Sequence, residues 1–585
     1  MSARGHHICD AGPSPVGRGR RRALLCLLVA AIALLSLGPR ASAASKQLPA
    51  AAEVTVAPEG GGLAVPPSFA GLSTEYWALP HYARYASTFE RALSLLTVPG
   101  GGPLVLRIGG DSADHTYWSP RRKPPRGAFE LTPALLSQTS TLARQLGLRL
   151  ILDLNLVADA PAMVGQWARA ALADLPSGSI AGFEIGNEPD LYHPRLRNRL
   201  LSVSRARLGT SVLTGNYGLT SYIRDFHSYA RTLYQLAPSV PLAGPALANP
   251  QQHVNWLSNL IAGQPQGLGM VSAHRYPLSP CVQGTPLFPT IARLLSEKSS
   301  AGLADTVRQA VHVAHGVGLP FRLTELNSVT CGGLAGVSDR FATALWAPDA
   351  LFELLRAGVD GVNVHVRTNA INAAFTVGAG GFRARPLLYG LILFARTLGP
   401  DAQLVPDQLS ASPALHLKVW AVRVNSDTLH VLLINKGQRF VTVTLRLPAT
   451  GIASLDRLLA PSPSATAQSV TLDGQQLSTA VTWTGKAKPD NITPVGGEYL
   501  VRMPATSAAL LSVRLAPVAL VSASGLTSEL ASAPQVTQSL GCVASTGLSS
   551  HELAWESVGL PSAGSCRAAN EPAGAWLTEL APQAA

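Results

Sequence analysis

Eight short apolar runs, separated by longer stretches with helical periodicity, constrain the fold of this chain more than any other feature of its sequence. The stretches between the runs, such as 133–146 and 341–357, repeat apolar residues at helical spacing. Such alternation is typical of parallel β/α units, and eight units in roughly 330 residues predict an α/β protein with a (β/α)₈ TIM barrel. The candidate strands are 69–75, 104–109, 149–154, 180–186, 240–245, 270–274, 321–325 and 362–366.

The pattern changes after Gly399, where strand-like runs follow one another without helical stretches. Asn425-Ser426-Asp427 and Asn435-Lys436-Gly437 are turn sequences between such runs, so this region predicts a C-terminal β-sandwich domain. We expect the early run 54–57 to return to that domain as an extra strand. The predicted segments are a signal peptide at 1–43, an N-terminal strand joining the β-domain at 44–66, the barrel at 67–399, the β-sandwich at 400–517 and a poorly ordered Ala/Ser/Gly-rich extension at 518–585.

The N-terminus has the composition of a signal peptide. Arg20, Arg21 and Arg22 precede an apolar run at 23–37, and Ala41-Ser42-Ala43 offers small residues for cleavage. The run is short for a membrane span, so we expect a secreted, extracellular product with no stable membrane insertion after cleavage. An uncleaved membrane anchor is the alternative.

Charge and cysteine content narrow the class of ligand. The formal net charge is +12, and residues 1–43 hold six arginines and one aspartate, so cleavage leaves +7, which suits an acidic glycan. The sequence contains no nucleic-acid-binding motif and no zinc-type cysteine spacing, and we expect no nucleic-acid partner, no metal and no cofactor. We propose that Cys281 pairs with Cys331 and Cys542 with Cys566, although four cysteines permit three pairings.

Polar side chains gather at the carboxyl ends of the predicted strands, where barrel active sites lie. Glu188 follows the fourth strand and Glu325 ends the seventh, and these strands lie across the ring from each other. Glycoside hydrolysis needs two carboxyl groups at one anomeric carbon, and a separation of about 5–5.5 Å belongs to the retaining reaction. We therefore predict Glu188 as the acid/base and Glu325 as the nucleophile.

Four neighbouring residues are candidates for supporting these two carboxyl groups. We expect Glu184, deeper in the barrel, to be a structural group paired with Arg107, since a buried charge needs a partner. Tyr276 is expected to donate a hydrogen bond to Glu325, and His274 to do the same or to bind substrate. A packing tyrosine and a buried structural histidine are the alternatives.

Three further residues are candidates for binding the substrate itself. Asn187 is expected to hydrogen-bond the sugar 2-hydroxyl, where contacts strengthen in the transition state. Asp111 and Glu75 are expected to bind other sugar hydroxyls, with capping or a surface ion pair as the alternative.

Motifs spread along the chain carry a family resemblance. They are Arg107-Ile108-Gly109-Gly110, Asn187-Glu188-Pro189, His274-Arg275-Tyr276, Thr324-Glu325-Leu326-Asn327-Ser328, Arg385-Pro386-Leu387-Leu388-Tyr389-Gly390, Val470-Thr471-Leu472-Asp473-Gly474 and Met503-Pro504-Ala505-Thr506-Ser507. Over about residues 50–516 the chain resembles glycoside hydrolase family 79, the β-glucuronidases and heparanases of the retaining barrel clan A. The resemblance implies the same fold and a retaining mechanism with two glutamates.

The resemblance also implies how an acidic sugar is bound. The family holds the uronate carboxylate with a tyrosine and with backbone amides of a glycine-containing loop after the nucleophile. The corresponding stretch is Val329-Thr330-Cys331-Gly332-Gly333, which makes Thr330 and Gly332 candidate substrate-binding residues. Thr330 stands where the family has a tyrosine, and its hydroxyl reaches less far. A Cys281–Cys331 bridge would fix this loop instead.

The predicted function is exo-acting hydrolysis of terminal β-linked glucuronic acid by double displacement, with an acidic glycan or a glucuronide as substrate. The same chemistry on a neutral or methylated sugar and an endo-acting heparanase-like enzyme are alternatives. A catalytically inactive secreted glycan-binding protein is an alternative of another class, against which the presence of both glutamates argues. A structural surface protein would need an anchor or repeats, and no repeat is found.

Overall fold

A computed structural model describes residues 50–58, 61–120, 123–125, 127–192, 217–378 and 380–516, which belong to one compact unit. The predicted signal peptide, the 518–585 extension and the proposed Cys542–Cys566 pair lie outside these residues. Within the described ranges, every helix is too short or too polar to span a bilayer.

Eight parallel strands close into a barrel in chain order, which confirms the predicted (β/α)₈ fold. Gly361–Val366 closes the ring by pairing with Ala70–Glu75. The first to eighth barrel strands are Ala70–Glu75, Val105–Gly109, Arg149–Leu154, Ile180–Ile185, Leu242–Leu247, Leu268–Arg275, Phe321–Leu326 and Gly361–Val366.

Helices cover the outside of the barrel, and local sequence explains their ends. Pro133–Leu146 begins after Thr132, whose hydroxyl accepts a hydrogen bond from the amide of Leu135, and it ends at Gly147 in the left-handed conformation, with φ 61°. The α-helices are Leu79–Ala83, Ala86–Ser94, Pro133–Leu146, Pro161–Asp174, Leu219–Leu236, Val254–Ala262, Ile291–Leu294, Ala301–Asp305, Arg308–His315, Ala342–Arg356 and Pro386–Thr397.

Short elements decorate this framework. The 3₁₀ helices are Tyr76–Ala78, Gly110–His115, Pro189–Leu191, Glu297–Ser299, Pro413–Leu415 and Ala467–Ser469. The two-stranded sheets are Thr116–Trp118 with Phe129–Leu131, Phe375–Gly378 with Gly381–Ala384, and Gln476–Leu477 with Trp483–Thr484.

Two packed sheets form the C-terminal β-domain. The smaller has the order Asp407–Ser410, Ala50–Val56, Val441–Arg446, Glu498–Met503. The larger has the order Leu63–Ala64, Gln403–Val405, Leu417–Arg423, Thr428–Asn435, Ser507–Leu515, Ala449–Leu459, Thr471–Leu472, and Asp490–Ile492 pairs with Ala449–Leu459. The strand Ala50–Val56 precedes the barrel in the sequence but belongs to this domain, where it runs parallel to Val441–Arg446.

The central strand Thr428–Asn435 of the larger sheet is covered on both faces. In Thr428–Asn435, Val431 and Leu433 belong to the core between the two sheets, whereas Leu432 and Ile434 belong to the core shared with the barrel. A strand covered on both faces carries an uninterrupted apolar run instead of alternation. The β-domain therefore packs on the barrel through a continuous apolar core.

The helix Ala342–Arg356 lies at this junction, and its residues from Ala342 to Leu355 are all buried. Its two buried carboxylates, Asp349 and Glu353, pair with β-domain lysines. Lys436 Nζ lies 2.6 Å from Asp349 Oδ2, and Lys418 Nζ lies 2.6 Å from Glu353 Oε1. The helix therefore fastens the β-domain to the barrel by ion pairs as well as by apolar packing.

Candidate active site

A pocket of about 470 Å³ opens at the carboxyl ends of the barrel strands. Its wall includes four acidic side chains, Glu75, Asp111, Glu188 and Glu325, which lie at or just beyond the ends of the first, second, fourth and seventh strands. The volume lies in the range of small-molecule sites. The fold thus gathers in one cavity carboxyl groups that the sequence spreads over 250 residues (75 to 325).

Glu188 reaches the pocket because the chain turns sharply after the fourth strand. Gly186 and Glu188 have φ angles of 80° and 50°, in the left-handed region that disfavours side chains such as glutamate. A Cβ on Gly186 would lie 2.7 Å from Leu156. The Glu188 amide donates to the carbonyl of Ala246 at 3.1 Å, and Asp190 accepts two amide hydrogen bonds from the same loop. The surrounding structure therefore holds the turn in place.

Glu325 is held by donors on both carboxyl oxygens. Tyr276 donates its hydroxyl proton to Oε1 at 2.6 Å, and Arg107 Nη1 donates to Oε2 at 3.0 Å. Burial alone would raise the pKa of Glu325, but the charges of His365 and Arg107 and the hydrogen bond from Tyr276 lower it well below its ordinary value. Glu325 is therefore held in its ionised form.

Glu188 and Glu325 bring carboxyl oxygens within 4.8 Å of each other. Burial and the negative charge of Glu325 raise the pKa of Glu188 well above its ordinary value. Their surroundings thus favour opposite protonation states, the protonated form of Glu188 and the ionised form of Glu325.

Arg107, from the second strand, lies beneath both carboxyl groups with no exposed surface. Glu184, the structural partner assigned to it from the sequence, accepts from its Nε at 2.7 Å. Its Nη2 donates to Asp153 at 2.8 Å and to Asn187 Oδ1 at 3.0 Å. Arg107 therefore joins the second, third, fourth and seventh strands and compensates several buried charges at once.

Two glycines after Arg107 make room for neighbouring carboxyl groups. A Cβ on Gly109 would lie 2.2 Å from Asp153 Cβ, and a Cβ on Gly110 would lie 2.9 Å from Glu75 Oε1. Gly110 also has a φ of 70°, which glycine adopts without strain. The close approach of Asp153 and Glu75 to this backbone thus explains why the motif has glycine at both positions.

His365, at the end of the eighth strand, connects Glu325 with Glu75. Its Nδ1 lies 3.4 Å from Glu325 Oε2, and its Nε2 lies 3.4 Å from Glu75 Oε1. Burial disfavours the imidazolium, but the negative charges of Glu325 and Glu75 outweigh burial and raise the pKa of His365. Burial would also raise the pKa of Glu75, which is nevertheless lowered because His365 stabilises its charged form.

His274 is buried behind the pocket wall, and its environment differs from both expected roles. Its Nδ1 lies 3.0 Å from Glu188 Oε1, so the ring contacts Glu188 instead of hydrogen-bonding Glu325. The ring has no exposed surface with which to meet substrate, because it lies on the inward face of the sixth strand. Burial lowers the pKa of His274 to about 4, which leaves the ring neutral near pH 7.

Asn187 and Asp111 flank the carboxyl pair. Asn187 is 4% exposed and accepts from Arg107 through Oδ1, and no described residue accepts from its Nδ2 group, which stays available to a ligand. Asp111 faces the open pocket. Loss of water around it and the negative charges of Glu75 and Glu188 raise the pKa of Asp111 to about 7.

The loop after the seventh strand supplies Thr330, Cys331 and Gly332 to the pocket wall. The Thr330 hydroxyl donates to Ser279 Oγ at 2.9 Å, so its proton is engaged within the protein. Gly332 has a φ of 79°, which favours glycine. The Sγ atoms of Cys281 and Cys331 lie 2.7 Å apart, and the bridge between them stays a prediction.

Glu188, His274 and Glu325 each place one potential ligand atom within 4.8 Å of the others, a spacing that could hold a metal ion. The chemistry of the set does not favour this use. The pKa of Glu188 is raised by burial and by the charge of Glu325, which disfavours its carboxylate form, and both oxygens of Glu325 already accept from Tyr276 and Arg107. These groups are suited to proton transfer and nucleophilic attack instead.

Sequence reasoning missed three residues of this site, Asp153, His365 and Arg367. Asp153 and His365 lie on inward positions near the ends of the third and eighth strands, so the strand-end rule that selected Glu325 would also have selected them. Arg367 directly follows the eighth strand and lines the pocket, and no sequence motif marks it.

No protein-family model matches the chain. A β-glucuronidase from Aspergillus niger is 24% identical over 562 residues, which cover 84% of this chain and 99% of that protein. A solved 4-O-α-L-rhamnosyl-β-D-glucuronidase from Fusarium oxysporum 12S has a TM-score of 0.63 at 17% identity, covering 78% of this chain and 99% of its own. A family 51 arabinofuranosidase from Xanthomonas axonopodis pv. citri has a TM-score of 0.58 at 16% identity, covering 79% and 100%.

The structural likeness shows a shared fold, and the curated relative matches over nearly its whole length. Together with the paired carboxyl groups at the mouth of the barrel, these findings place the chain in a class: it is a glycoside hydrolase.

Proposed function

We propose that the chain is a retaining exo-β-glycosidase of the β-glucuronidase kind, allied to glycoside hydrolase family 79, that removes terminal β-linked glucuronic acid. The observation that carries the proposal is the approach of Glu188 and Glu325 oxygens to within 4.8 Å. Retaining enzymes have carboxyl groups about 5–5.5 Å apart, whereas inverting enzymes leave about 6.5–9.5 Å for a water molecule. The short separation supports double displacement.

The first step forms a glycosyl-enzyme. A carboxylate oxygen of Glu325 attacks the anomeric carbon, the bond from that carbon to the glycosidic oxygen breaks, and Glu188 gives its proton to the departing oxygen. His274 assists from behind, because its Nδ1 contacts Glu188 Oε1 at 3.0 Å, which fixes the carboxyl group and leaves Oε2 free for the proton transfer.

The second step reverses these roles. Once Glu325 is an ester its negative charge is gone, so the pKa of Glu188 falls and Glu188 becomes a base. It removes a proton from water, the water oxygen attacks the anomeric carbon, and Glu325 leaves as a carboxylate. Arg107 and Tyr276 then stabilise the restored charge.

Two findings support a glucuronide as substrate. The relative that matches over nearly its whole length is a β-glucuronidase, and the pocket wall carries two arginines, Arg275 and Arg367, among its acidic groups.

We also propose that the chain is exported, on the basis of its signal-like N-terminus. A secreted protein whose first residue lies near 44 would agree with this proposal, and a protein retained in the cell with residues 1–43 intact would contradict it.

Substitution of each glutamate tests the mechanism on aryl β-D-glucuronides. We expect Glu325→Gln to lower kcat by more than about 10⁴-fold, as loss of a nucleophile does. Glu188→Ala should lower activity by about 10²–10⁴-fold on substrates with poor leaving groups and by less on a substrate that releases 2,4-dinitrophenolate. When azide is added, this variant should form a β-glycosyl azide. Proton NMR of the wild-type reaction should detect the β-anomer of the product first.

The matched control is Glu130→Gln, because Glu130 is exposed on the short strand Phe129–Leu131 and should leave activity unchanged. An α-anomer as first product would reject double displacement. Cleavage of neutral glycosides alone would reject the uronate substrate, and no turnover of any glycoside would reject the proposed function.

A further inference from the structure

Arg367 lies in an acidic pocket, and its side chain has no hydrogen-bonded partner among the described residues. Its Nε is buried and has no hydrogen-bond partner, and among the described residues the nearest acidic oxygen is Glu75 Oε1, 4.0 Å from Nη1. The second pocket arginine is engaged: Arg275 donates from Nε to Thr306 at 3.0 Å and from Nη1 to Asn249 at 3.4 Å. A guanidinium has five N–H donors, and because those of Arg367 form no hydrogen bond with a described residue, they can bind an anion.

The loop after the nucleophile strand fixes the place of this guanidinium. An ideal Cβ on Gly332 would lie 2.8 Å from Arg367 Nη2, so the guanidinium packs on the backbone of Gly332. The carbonyl of Gly332 accepts from the amides of Ile371 at 2.8 Å and Asn372 at 3.2 Å, which ties the loop to the segment that follows Arg367. The cation is therefore built into the wall of the pocket, with a quarter of its side chain exposed.

The Thr330 hydroxyl, which the sequence suggested as a donor to the substrate, is already engaged within the protein. Thr330 gives its hydroxyl proton to Ser279, so it cannot donate to a substrate anion without breaking that bond. A substrate carboxylate entering the pocket would also meet the carboxyl groups of Glu75 and Asp111. Without a facing cation such an approach is unfavourable, because like charges at close range repel.

We propose that Arg367 is the carboxylate receptor of the pocket and restricts the enzyme to sugars whose carboxylate is free, so that uronate esters and neutral sugars are poor substrates. The inference rests on the proposed function and deepens it. The competing role for Arg367 is that of a counter-charge for Glu75 alone, which would support the site equally for every sugar.

The test compares 4-nitrophenyl β-D-glucuronide, its methyl ester and the β-D-glucoside. For Arg367→Gln we expect kcat/KM on the glucuronide to fall by roughly 100-fold or more, as for loss of one partner of a desolvated charge pair, while the two neutral substrates change by less than about 3-fold. Arg367→Lys should recover part of the loss, since the charge remains but the fork of donors does not. An equal fall on all three substrates, or no fall, would overturn the proposal.

A second pair of variants tests the position of the Arg367 guanidinium while keeping its charge. Gly332→Ala pushes on Arg367, whereas Gly336→Ala imposes the same left-handed strain, with φ 81°, and its Cβ meets nothing within 4 Å. We expect Gly332→Ala to lose selectivity for the glucuronide over its methyl ester and Gly336→Ala to keep it. Equal selectivity in the two variants would contradict the assigned role of Arg367.

The outcomes separate this inference from the proposed function. If the wild type cleaves glucuronides and Arg367→Gln keeps the same selectivity, the inference alone fails. If the wild type cleaves only neutral sugars, both fail. If it cleaves nothing, calorimetric titration with D-glucuronate and D-glucose still decides, because only a carboxylate receptor makes glucuronate bind more tightly to the wild type than to Arg367→Gln.

Discussion

Glu188 and Glu325 are the same amino acid, and their neighbours give them different protonation states. Burial opposes the charge of Glu325, but His365, Arg107 and Tyr276 lower its pKa and so stabilise the carboxylate. Burial and the negative charge of Glu325 raise the pKa of Glu188 and so favour its protonated form. The division of labour therefore resides in the residues around the pair.

Tyr276→Phe isolates one of these contributions. The Tyr276 hydroxyl donates to the ionised form of Glu325 at 2.6 Å, so its removal destabilises the carboxylate and raises the pKa of Glu325. The acidic limb of the kcat/KM–pH profile should move to higher pH, and kcat/KM at neutral pH should fall by roughly 10-fold or more. Steady-state kinetics across the pH range measures both effects, and an unmoved acidic limb would show that Tyr276 does not tune Glu325.

At the scale of elements, the ends of the barrel strands are shaped to let carboxyl groups converge. Gly109 ends the second strand and leaves space for Asp153, and Gly110, which follows it, leaves space for Glu75. Gly186 makes room in the same way for the turn that carries Glu188. Removal of a Cβ at these positions is what allows acidic groups from neighbouring strands to share one small volume.

Gly110→Ala should therefore damage the site beyond its cost in backbone strain. Both Gly110 and Gly147 have left-handed φ angles, 70° and 61°, but only at Gly110 would a Cβ meet another residue, Glu75. We expect Gly147→Ala to cost about 1–2 kcal/mol of unfolding free energy with unchanged activity, and Gly110→Ala to lose activity as well. Denaturant titration and kinetics provide the comparison; equal activity of the two variants would refute the steric account.

The barrel strands could be predicted from sequence because each is a local apolar run bounded by turns. The strand Ala449–Leu459 could not, since it contains exposed and buried residues in irregular order and gains its structure from Ser507–Leu515 and Asp490–Ile492, far along the chain. The two glutamates were selected by strand position and motif. Arg367 could not be predicted from the sequence, because its role depends on the residues that surround it in the folded pocket.

At the scale of the whole molecule, the β-domain and the barrel share a core and a buried ion network. The Lys436 side chain is 1% exposed and its Nζ lies 2.6 Å from Asp349, which is fully buried. Trp420 donates to the other oxygen of Asp349 at 3.1 Å. Trp420 also stacks on Phe352 with ring centroids 5.2 Å apart. The two parts should therefore unfold together.

Lys436→Met tests this coupling. The change leaves Asp349 buried with only partial compensation, and we expect a loss of about 3–5 kcal/mol in the free energy of unfolding. The double variant Lys436→Met with Asp349→Leu should lose less, because no uncompensated charge remains. Arg446→Met, in an exposed pair with Glu53 and Glu498, is the control and should leave Tm nearly unchanged. Separate unfolding transitions for the two parts would contradict the single core.

The strand Ala50–Val56 is synthesised before the barrel, but it pairs with Asp407–Ser410 and Val441–Arg446. With about 390 residues between Ala50 and Val441, and ribosomal synthesis at about 5–20 residues per second, its partners emerge roughly 20–80 seconds later. During that interval Val54 and Val56, which end up buried, have no sheet to join. A nascent chain of this protein therefore exposes an unpaired apolar strand throughout translation of the barrel, and a product that ended before residue 407 would expose it permanently.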